Sequence, residues 1–280
     1  MTKQLLLIDG NSIVFRAFFA MHNQMDKFTN KDGLHTAAIY GFKLMLDHVL
    51  QNFKPDTALV AFDAGKVTFR TKMYDDYKGG RNKTPNELTE QIPYVRELIK
   101  DSGLHSYELA NYEADDIIGT LAKQADDAGY KTLIVTGDRD LTQLASENTT
   151  VAVTHKGVTD TEHYTPAHVE EKLGITPRQI IDMKALMGDS SDNYPGVTKI
   201  GEKTAIKLVK QFGSVEELYD HIDDLKKSKM KEHLIEDEEI ARQCKTLATI
   251  LRDAPLKIGL DDLQYQGPQT DDLIKFYKEM

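Results

Sequence analysis

The sequence predicts an α/β fold, a parallel-rich central sheet flanked by helices and followed by a largely helical region. Three short apolar runs, Leu5–Ile8, Ala58–Phe62 and Thr132–Thr136, stop at or just before an aspartate: Asp9, Asp63 and Asp138. Helical patterns separate the runs, and a crossover of that kind is what parallel strands require. Beyond Tyr164 the strand-like runs cease and the pattern is nearly all helical. Parallel strands would set the three aspartates along one carboxyl rim, where open α/β sheets bind ligands.

Leu5–Ile8 reads as a buried strand, turning at Asp9-Gly10-Asn11-Ser12 into a helix from about Ser12. From Ile39 to Phe53 an apolar stripe of Phe42, Met45, Leu46, Val49 and Leu50 predicts a helix, which Pro55 ends. Ala58–Phe62 is the second strand. Gly65 to Gln91 is basic, rich in Gly, Asn and Thr and poor in apolar residues, which predicts a mobile or only partly helical segment. Helix resumes after Pro93, and Tyr107-Glu108-Leu109 reads as a short strand. Glu113 opens an amphipathic helix with Ile117, Ile118, Leu121 and Ala122 on one face. Leu133-Ile134-Val135 is the third buried strand, Leu141–Ala145 a short helix, and Val151–Val153 a strand at the edge of the sheet. Thr165-Pro166 and Thr176-Pro177 each pair an N-cap with a proline, so helices should start there, and others near Glu202, Val215, Met230 and Thr270. The expected division is an α/β domain over 1–164 and a helical region over 165–280. The final helix stops without a capping signal, which reads as excision from a longer chain.

The chain has 280 residues, a formal net charge of −10 and one cysteine. A single cysteine, Cys244, excludes an intramolecular disulfide and a cysteine-based zinc site, and its apolar helical surroundings mark it as structural. The nine histidines show no ligand spacing and read as surface or core residues. No run of eighteen apolar residues offers a membrane span. Together these predict a cytoplasmic protein. The net charge weighs against a nucleic-acid partner, but the local balance differs. From Lys66 to Lys83 there are six basic residues against two acids, and from Lys199 to Lys210 four lysines against one glutamate.

Helix capping and turn formation can explain each acid singly. They do not explain Asp115 beside Asp116, nor acids at three strand ends. Acids crowded on one rim repel one another unless cations intervene. Hard divalent ions with oxygen ligands remove that cost, and Mg²⁺ or Mn²⁺ suits carboxylates without Cys or His. Nine candidates, Asp9, Asp63, Glu113, Asp115, Asp116, Asp138, Asp140, Asp189 and Asp192, exceed the needs of one Mg²⁺. Two ions about 3.5–4 Å apart serve phosphoryl chemistry.

At this point the residues match a known family. The motifs LLLIDGNSIVFRAFFA, VAFDAGKVTFRTKMYDDYKGGR, YEADDIIGTLA, VTGDRDLTQL and GDSSDNYPGVTKIGEKTAIKLVKQFGSVEEL span nearly the whole chain. In order and spacing it resembles the 5′-nuclease domains of bacterial DNA polymerase I, in the flap endonuclease superfamily. The resemblance implies a PIN-like 5′-nuclease fold with a helical arch over about 65–92 and a helix–hairpin–helix over about 180–212. It implies one metal centre from Asp9, Asp63, Glu113, Asp115 and Asp116, and a second from Asp138, Asp140, Asp189 and Asp192. Asp115 and Asp138 would be essential to catalysis. Arg70, Lys78 and Arg81 match positions that engage phosphate at or near the scissile bond, and Tyr77 one near the terminal bases of the substrate.

Gly196, Val197, Lys199 and Gly201, with Lys203 and Lys207 on the next helix, match the hairpin that holds a duplex backbone without reading bases. In the family that hairpin can also hold K⁺. The implied activity is two-metal hydrolysis of DNA at 5′ flaps, junctions and 5′ ends, in primer removal and repair. The implied partners are flapped DNA, RNA-primer/DNA hybrids and a polymerase module in the same parent chain, with the protein a monomer near the nucleoid. Two other classes compete with this reading. An aspartyl-type phosphohydrolase would use a strand-end acid such as Asp9 as nucleophile and would not need the lysine-rich hairpin. A non-catalytic DNA-binding module would not need the carboxylates.

Overall fold

The computed structural model describes residues 2–21, 27–157 and 159–280. Its centre is a six-stranded sheet of β1 (Gln4–Asp9), β2 (Thr57–Phe62), β3 (His105–Glu108), β4 (Lys131–Thr136), β5 (Thr149–Thr154) and β6 (Thr161–Tyr164). The strand order is β3-β2-β1-β4-β5-β6. The first five are parallel and β6 runs antiparallel to β5. Chain direction across the sheet reverses between β1 and β4, the switch point at which doubly wound sheets open a crevice. Asp9 ends β1 on one side of that crevice, and Asp138 follows β4 on the other.

Successive residues of the buried strands serve opposite faces. Leu5, Leu7, Leu59, Ile134 and Val151 belong to one apolar cluster, and Leu6, Ile8, Val60, Val135 and Ala152 to the other. Burial on both faces is why these strands read as unbroken apolar runs rather than alternating ones. The second cluster lies under α1 (Gly10–Met21), α2 (Ala37–Phe53) and α5 (Ile92–Asp101). Between α2 and α5 come two short helices, α3 (Phe69–Met73) and α4 (Asn86–Thr89), so the basic segment is partly helical. α6 (Ala114–Asp127) covers the other face with Ile117, Ile118, Leu121 and Ala122.

The remaining helices are α7 (Pro166–Leu173), α8 (Gln179–Met187), α9 (Glu202–Phe212), α10 (Val215–Asp220), α11 (Lys229–Glu236), α12 (Glu238–Ala248) and α13 (Thr270–Glu279). The cluster beneath α6 continues into them through Leu186, Leu208, Leu218 and Leu247. Their starts follow local chemistry. The Thr165 hydroxyl accepts from His168 N, that of Ser214 from Glu217 N, and that of Ser228 from Lys231 N.

Two expectations shift, and the C-terminal segment adds a contact. Val151–Val153 is not the edge, because the short, half-exposed β6 pairs outside it. Thr176-Pro177 forms a turn, with Gln179 N donating to Thr176 O, and helix begins at Gln179. The C-terminal segment returns to the sheet: Tyr265 N donates to Asp56 O, and Phe276 of α13 is buried in the cluster beneath α5.

Candidate active site

The acids reach the rim from five places. β1 delivers Asp9, whose Oδ1 accepts from Ser12 N at 3.1 Å and Oδ2 from Thr136 Oγ1 at 2.8 Å. Asp63, just past β2, accepts Ala114 N at 2.8 Å and so docks on the first turn of α6. That turn carries Glu113, Asp115 and Asp116. Asp138 caps the 3-10 turn Arg139–Leu144, accepting Asp140 N at 2.8 Å. Asp189 and Asp192 lie in the loop after α8, where Asp189 Oδ1 accepts Ser191 N and Asp192 N at 2.6 and 3.3 Å.

Burial and crowding set the charges. Burial, with the charges of Asp63 and Asp138 nearby, pushes the Asp9 carboxyl up to about 7 against the hydrogen bonds from Ser12 and Thr136. Burial, then Asp9 and Asp138, hold Asp115 well above the usual carboxylate range. Among the described residues Asp115 accepts no hydrogen bond, and the charge opposing its burial is that of Lys78. Burial and Asp138 push Asp140 up to about 7 despite Lys184.

Two lysines stand among the acids. Lys78 Nζ donates to Glu113 Oε1 at 2.7 Å and lies 4.0 Å from Asp192 Oδ2. Its backbone takes φ 56°, which turns the chain so that Lys78 N donates to Asp192 O at 2.8 Å. Burial opposes the ammonium charge, but Glu113, Asp192 and Asp115 outweigh it and raise the pKa. Lys184, absent from the sequence-based set, pairs with Asp140 Oδ1 at 2.8 Å and with Asp189 Oδ2. Its signal was position: the last turn of α8, five residues before Asp189. Arg81 is half exposed and donates to Asp192 Oδ1 at 2.7 Å.

Four of the expected residues have their polar groups engaged inside the protein. Arg70 is 2% exposed, and its Nε, Nη1 and Nη2 donate to Leu247 O, Glu113, both oxygens of Asp116 and Thr249 O. With its fork spent inside the protein it has no donor for a phosphate. Asp116 is fully buried, and its two oxygens accept from Arg70 twice, from Leu251 N at 3.0 Å and from Glu113 N at 3.1 Å. Those four bonds fill the capacity of a carboxylate, so in this structure Asp116 braces the first turn of α6 and has no lone pair left over for an ion. Tyr77 is 4% exposed, with its hydroxyl 2.9 Å from Asp192 Oδ2 and 3.2 Å from Glu113 Oε2. It bridges the two groups of acids and offers no face for stacking. Val197 turns its side chain into the core, and its N–H donates to Leu186 O at 2.8 Å.

The hairpin between α8 and α9 is tightly made. Gly196 has φ 65°, and a Cβ on it would strike the backbone of Met187 and Gly188. Here glycine serves chain-to-chain packing. Lys199, Lys203 and Lys207 are exposed, and Gly201 opens α9 with free space where a Cβ would point.

Among the described residues no three of the acids converge closely enough to grip an ion as they stand, because Lys78 and Lys184 lie between them. The donor chemistry nonetheless fits a hard divalent ion. All donors are oxygen, and the raised carboxyls of Asp9, Asp115 and Asp140 mark a charge cost that such an ion removes.

Residues 4–174 match the family model described as "5'-3' exonuclease, N-terminal resolvase-like domain", and residues 175–271 match "5'-3' exonuclease, C-terminal SAM fold". DNA polymerase I of Streptococcus pneumoniae is 59% identical over 278 residues, covering 99% of this chain and 32% of that protein. DNA polymerase I of Bacillus subtilis is 54% identical over 278 residues, covering 99% and 31%. The chain thus spans about a third of the length of the curated relatives it matches. Among solved structures, the T5 D15 protein co-crystallised with metal ions has a TM-score of 0.75 at 22% identity, covering 99% of this chain and 98% of that one. The catalytic core of Rad2 in complex with DNA substrate has 0.63 at 16%, covering 99% and 87%. At such identities these two report likeness of fold. The models meet at residue 174, and the acids of the rim come from both sides of that point. With fold, rim and both models in agreement, the chain belongs to the 5′-3′ exonuclease family.

Proposed function

We propose that this chain is a structure-selective 5′-nuclease hydrolysing DNA phosphodiesters at 5′ flaps and junctions and from 5′ ends, in primer removal and repair. One observation carries the reading: acids from five places in the chain share a rim, where Lys78 pairs with Glu113 and Arg81 with Asp192. Asp9, Asp63, Glu113 and Asp115 would hold one divalent ion, and Asp138, Asp140, Asp189 and Asp192 a second. Mg²⁺, or Mn²⁺ in its place, suits those oxygens. When bound, the ions would supply Lewis-acid activation of water and phosphate. An ion would compete with Lys78 for Glu113 and with Lys184 for Asp140 and Asp189.

Lys78 and Arg81 orient the phosphate and stabilise charge developing on its oxygens. Arg70 and Asp116 hold the first turn of α6 from behind, and Tyr77 keeps Glu113 and Asp192 in register. The segment over about 65–92 forms the arch. In this division the part over 1–164 carries most of the acids, and the helical part over 165–280 holds the duplex. There the exposed Lys199, Lys203 and Lys207 meet phosphates near the amino end of α9. K⁺ is a candidate ligand of the hairpin carbonyls. Support for ions and DNA comes from the T5 protein solved with metal ions and from Rad2 solved with DNA substrate. The polymerase I relatives support a polymerase module in the parent chain. The reading extends to RNA-primer hybrids, to a monomer and to a cytoplasmic, nucleoid-associated site. Among the described residues no helix is long and apolar enough to cross a membrane. Cutting of a 5′-flap duplex, with product ends mapped and a small phosphate ester as comparison, tests the proposal.

A further inference from the structure

The hairpin and the acid rim are tied to one element. Asp237, the residue before α12, accepts the N–H of Thr198 in the hairpin through Oδ2 at 2.7 Å. Midway along α12, the buried Cys244 lies against the backbone N–H of Gly196. At the other end Leu247 O and Thr249 O accept from Arg70 at 3.0 and 2.7 Å. Gln143 clasps the chain just beyond, donating to Ala248 O and accepting from Ile250 N, both at 3.0 Å. Leu251 N then donates to Asp116 Oδ1, and Ala254 N to Thr120 Oγ1, again at 3.0 Å each. Gly119 on α6 permits this approach, since a Cβ there would stand 2.5 Å from Leu251 O.

Residues 237–254 therefore touch three things. They hold the hairpin at one end and the pair Arg70–Asp116 beneath α6 at the other. Gln143 adds the third, for it sits on the 3-10 turn that Asp138 caps. The 11 residues of α12 make a rod about 16 Å long, stiff because each turn is hydrogen-bonded.

We propose that residues 237–254 form a strut that fixes the hairpin relative to the acid rim, with Asp237 and Gln143 as positioning residues at its two ends. Neither contacts the reacting atoms. Their effect is to let a duplex held at the hairpin present its phosphodiester in register with the acids. The inference rests on the reading of the hairpin as the duplex holder and of the rim as the reaction centre.

The test uses Asp237→Ala and Gln143→Ala, singly and together, in the full 280-residue chain. Three quantities are read: flap-duplex affinity in EDTA, Mn²⁺ affinity by calorimetry without DNA, and single-turnover cleavage with all DNA bound. Loss of a hydrogen bond to a carboxylate should weaken duplex binding roughly tenfold in Asp237→Ala. The strut further requires Mn²⁺ affinity to fall, and the saturated cleavage rate to fall roughly fivefold. The double variant should lose less than the product of the two singles, because either break frees the rod. Asp237→Asn keeps an acceptor for Thr198 N–H and should restore parental values.

A parental saturated rate and Mn²⁺ affinity in Asp237→Ala, or multiplicative losses in the double variant, would overturn the strut. Failure of Asp237→Asn to restore them would do the same. Should Gln143→Ala not fold, the Asp237 pair carries the test. If the parental chain does not cut DNA, the nuclease reading fails. The strut is then judged on Mn²⁺ affinity in Asp237→Ala, where a fall supports it and a parental value overturns it.

Discussion

Arg70 and Asp116 form a two-pronged ion pair, Nη1 to Oδ2 and Nη2 to Oδ1 at 2.8 Å each, with both residues sealed from solvent. The pair lies directly behind the turn that presents Glu113 and Asp115. It joins that turn to the loop after α12, so the rim is braced from inside the protein.

Removing one member leaves the other as an uncompensated buried charge. Arg70→Ala should therefore cost about 3–5 kcal/mol of stability. Arg70→Lys should lose much of the same, because an ammonium cannot reproduce the planar fork. Urea unfolding of the parental chain and both variants checks this. A loss below about 1 kcal/mol in Arg70→Ala would show that the brace is not used.

Lys78 differs from Arg70 in facing the rim. Lys78→Ala should slow single-turnover cleavage about 10²–10³-fold while changing flap affinity only a few-fold, as expected for a cation acting on developing charge. Rapid-quench kinetics beside equilibrium binding separates the two. A large affinity loss with a normal rate would make Lys78 a binding contact only.

Asp115 is half-buried, accepts no hydrogen bond among the described residues, and is repelled by Asp9 and Asp138. Asp115→Asn should abolish cleavage, keep duplex binding, and raise the melting temperature of the metal-free chain. Asp138→Ala should abolish cleavage too, without the stabilisation, because it removes the acceptor for Asp140 N. Calorimetry in EDTA and a cleavage assay in Mg²⁺ decide the matter. Near-normal turnover by either variant would remove the two-ion reading.

The raised carboxyls also set a pH dependence. Asp9 and Asp140 titrate near 7 in the folded chain against 3.8 ordinarily, so the folded state retains protons that the unfolded chain releases. Their stabilisation is fully present below about pH 4 and is lost as pH rises through about 7. The metal-free chain should thus melt lower at about pH 8 than at about pH 5, and Mg²⁺ should recover most of the difference. Melting curves in EDTA and in Mg²⁺ at both pH values test this. A metal-free chain more stable at the higher pH would contradict it.

What could be read from the sequence follows the physics of each feature. β1, β2 and β4 were legible because strands buried on both faces are largely continuous apolar runs, and each has an aspartate at its end or within two residues past it. Strand order is not written locally, and β6 (Thr-Glu-His-Tyr) carries too few apolar residues to announce a strand outside β5. The acids were legible as a set because their number exceeded what capping requires. The fate of Arg70 and Tyr77 was not. A basic segment reads as exposed, and the partners that bury these two, Asp116 and Asp192, lie 46 and 115 positions away. Lys184 escaped for a similar reason, since a lone lysine on a helix gives no sign that two acids enclose it. The return of the C-terminal segment to the sheet is marked by long-range bonds, Tyr265 N to Asp56 O and Gln269 N to Asp101 O, which no periodicity announces.

The most direct test of the central claim is cleavage of a 5′-flap duplex against a blunt duplex of the same sequence, with Mg²⁺ and with EDTA. The account predicts cutting near the flap junction in Mg²⁺, slower release from the blunt 5′ end, and none in EDTA. Cutting that ignores the flap, or that persists in EDTA, would contradict it.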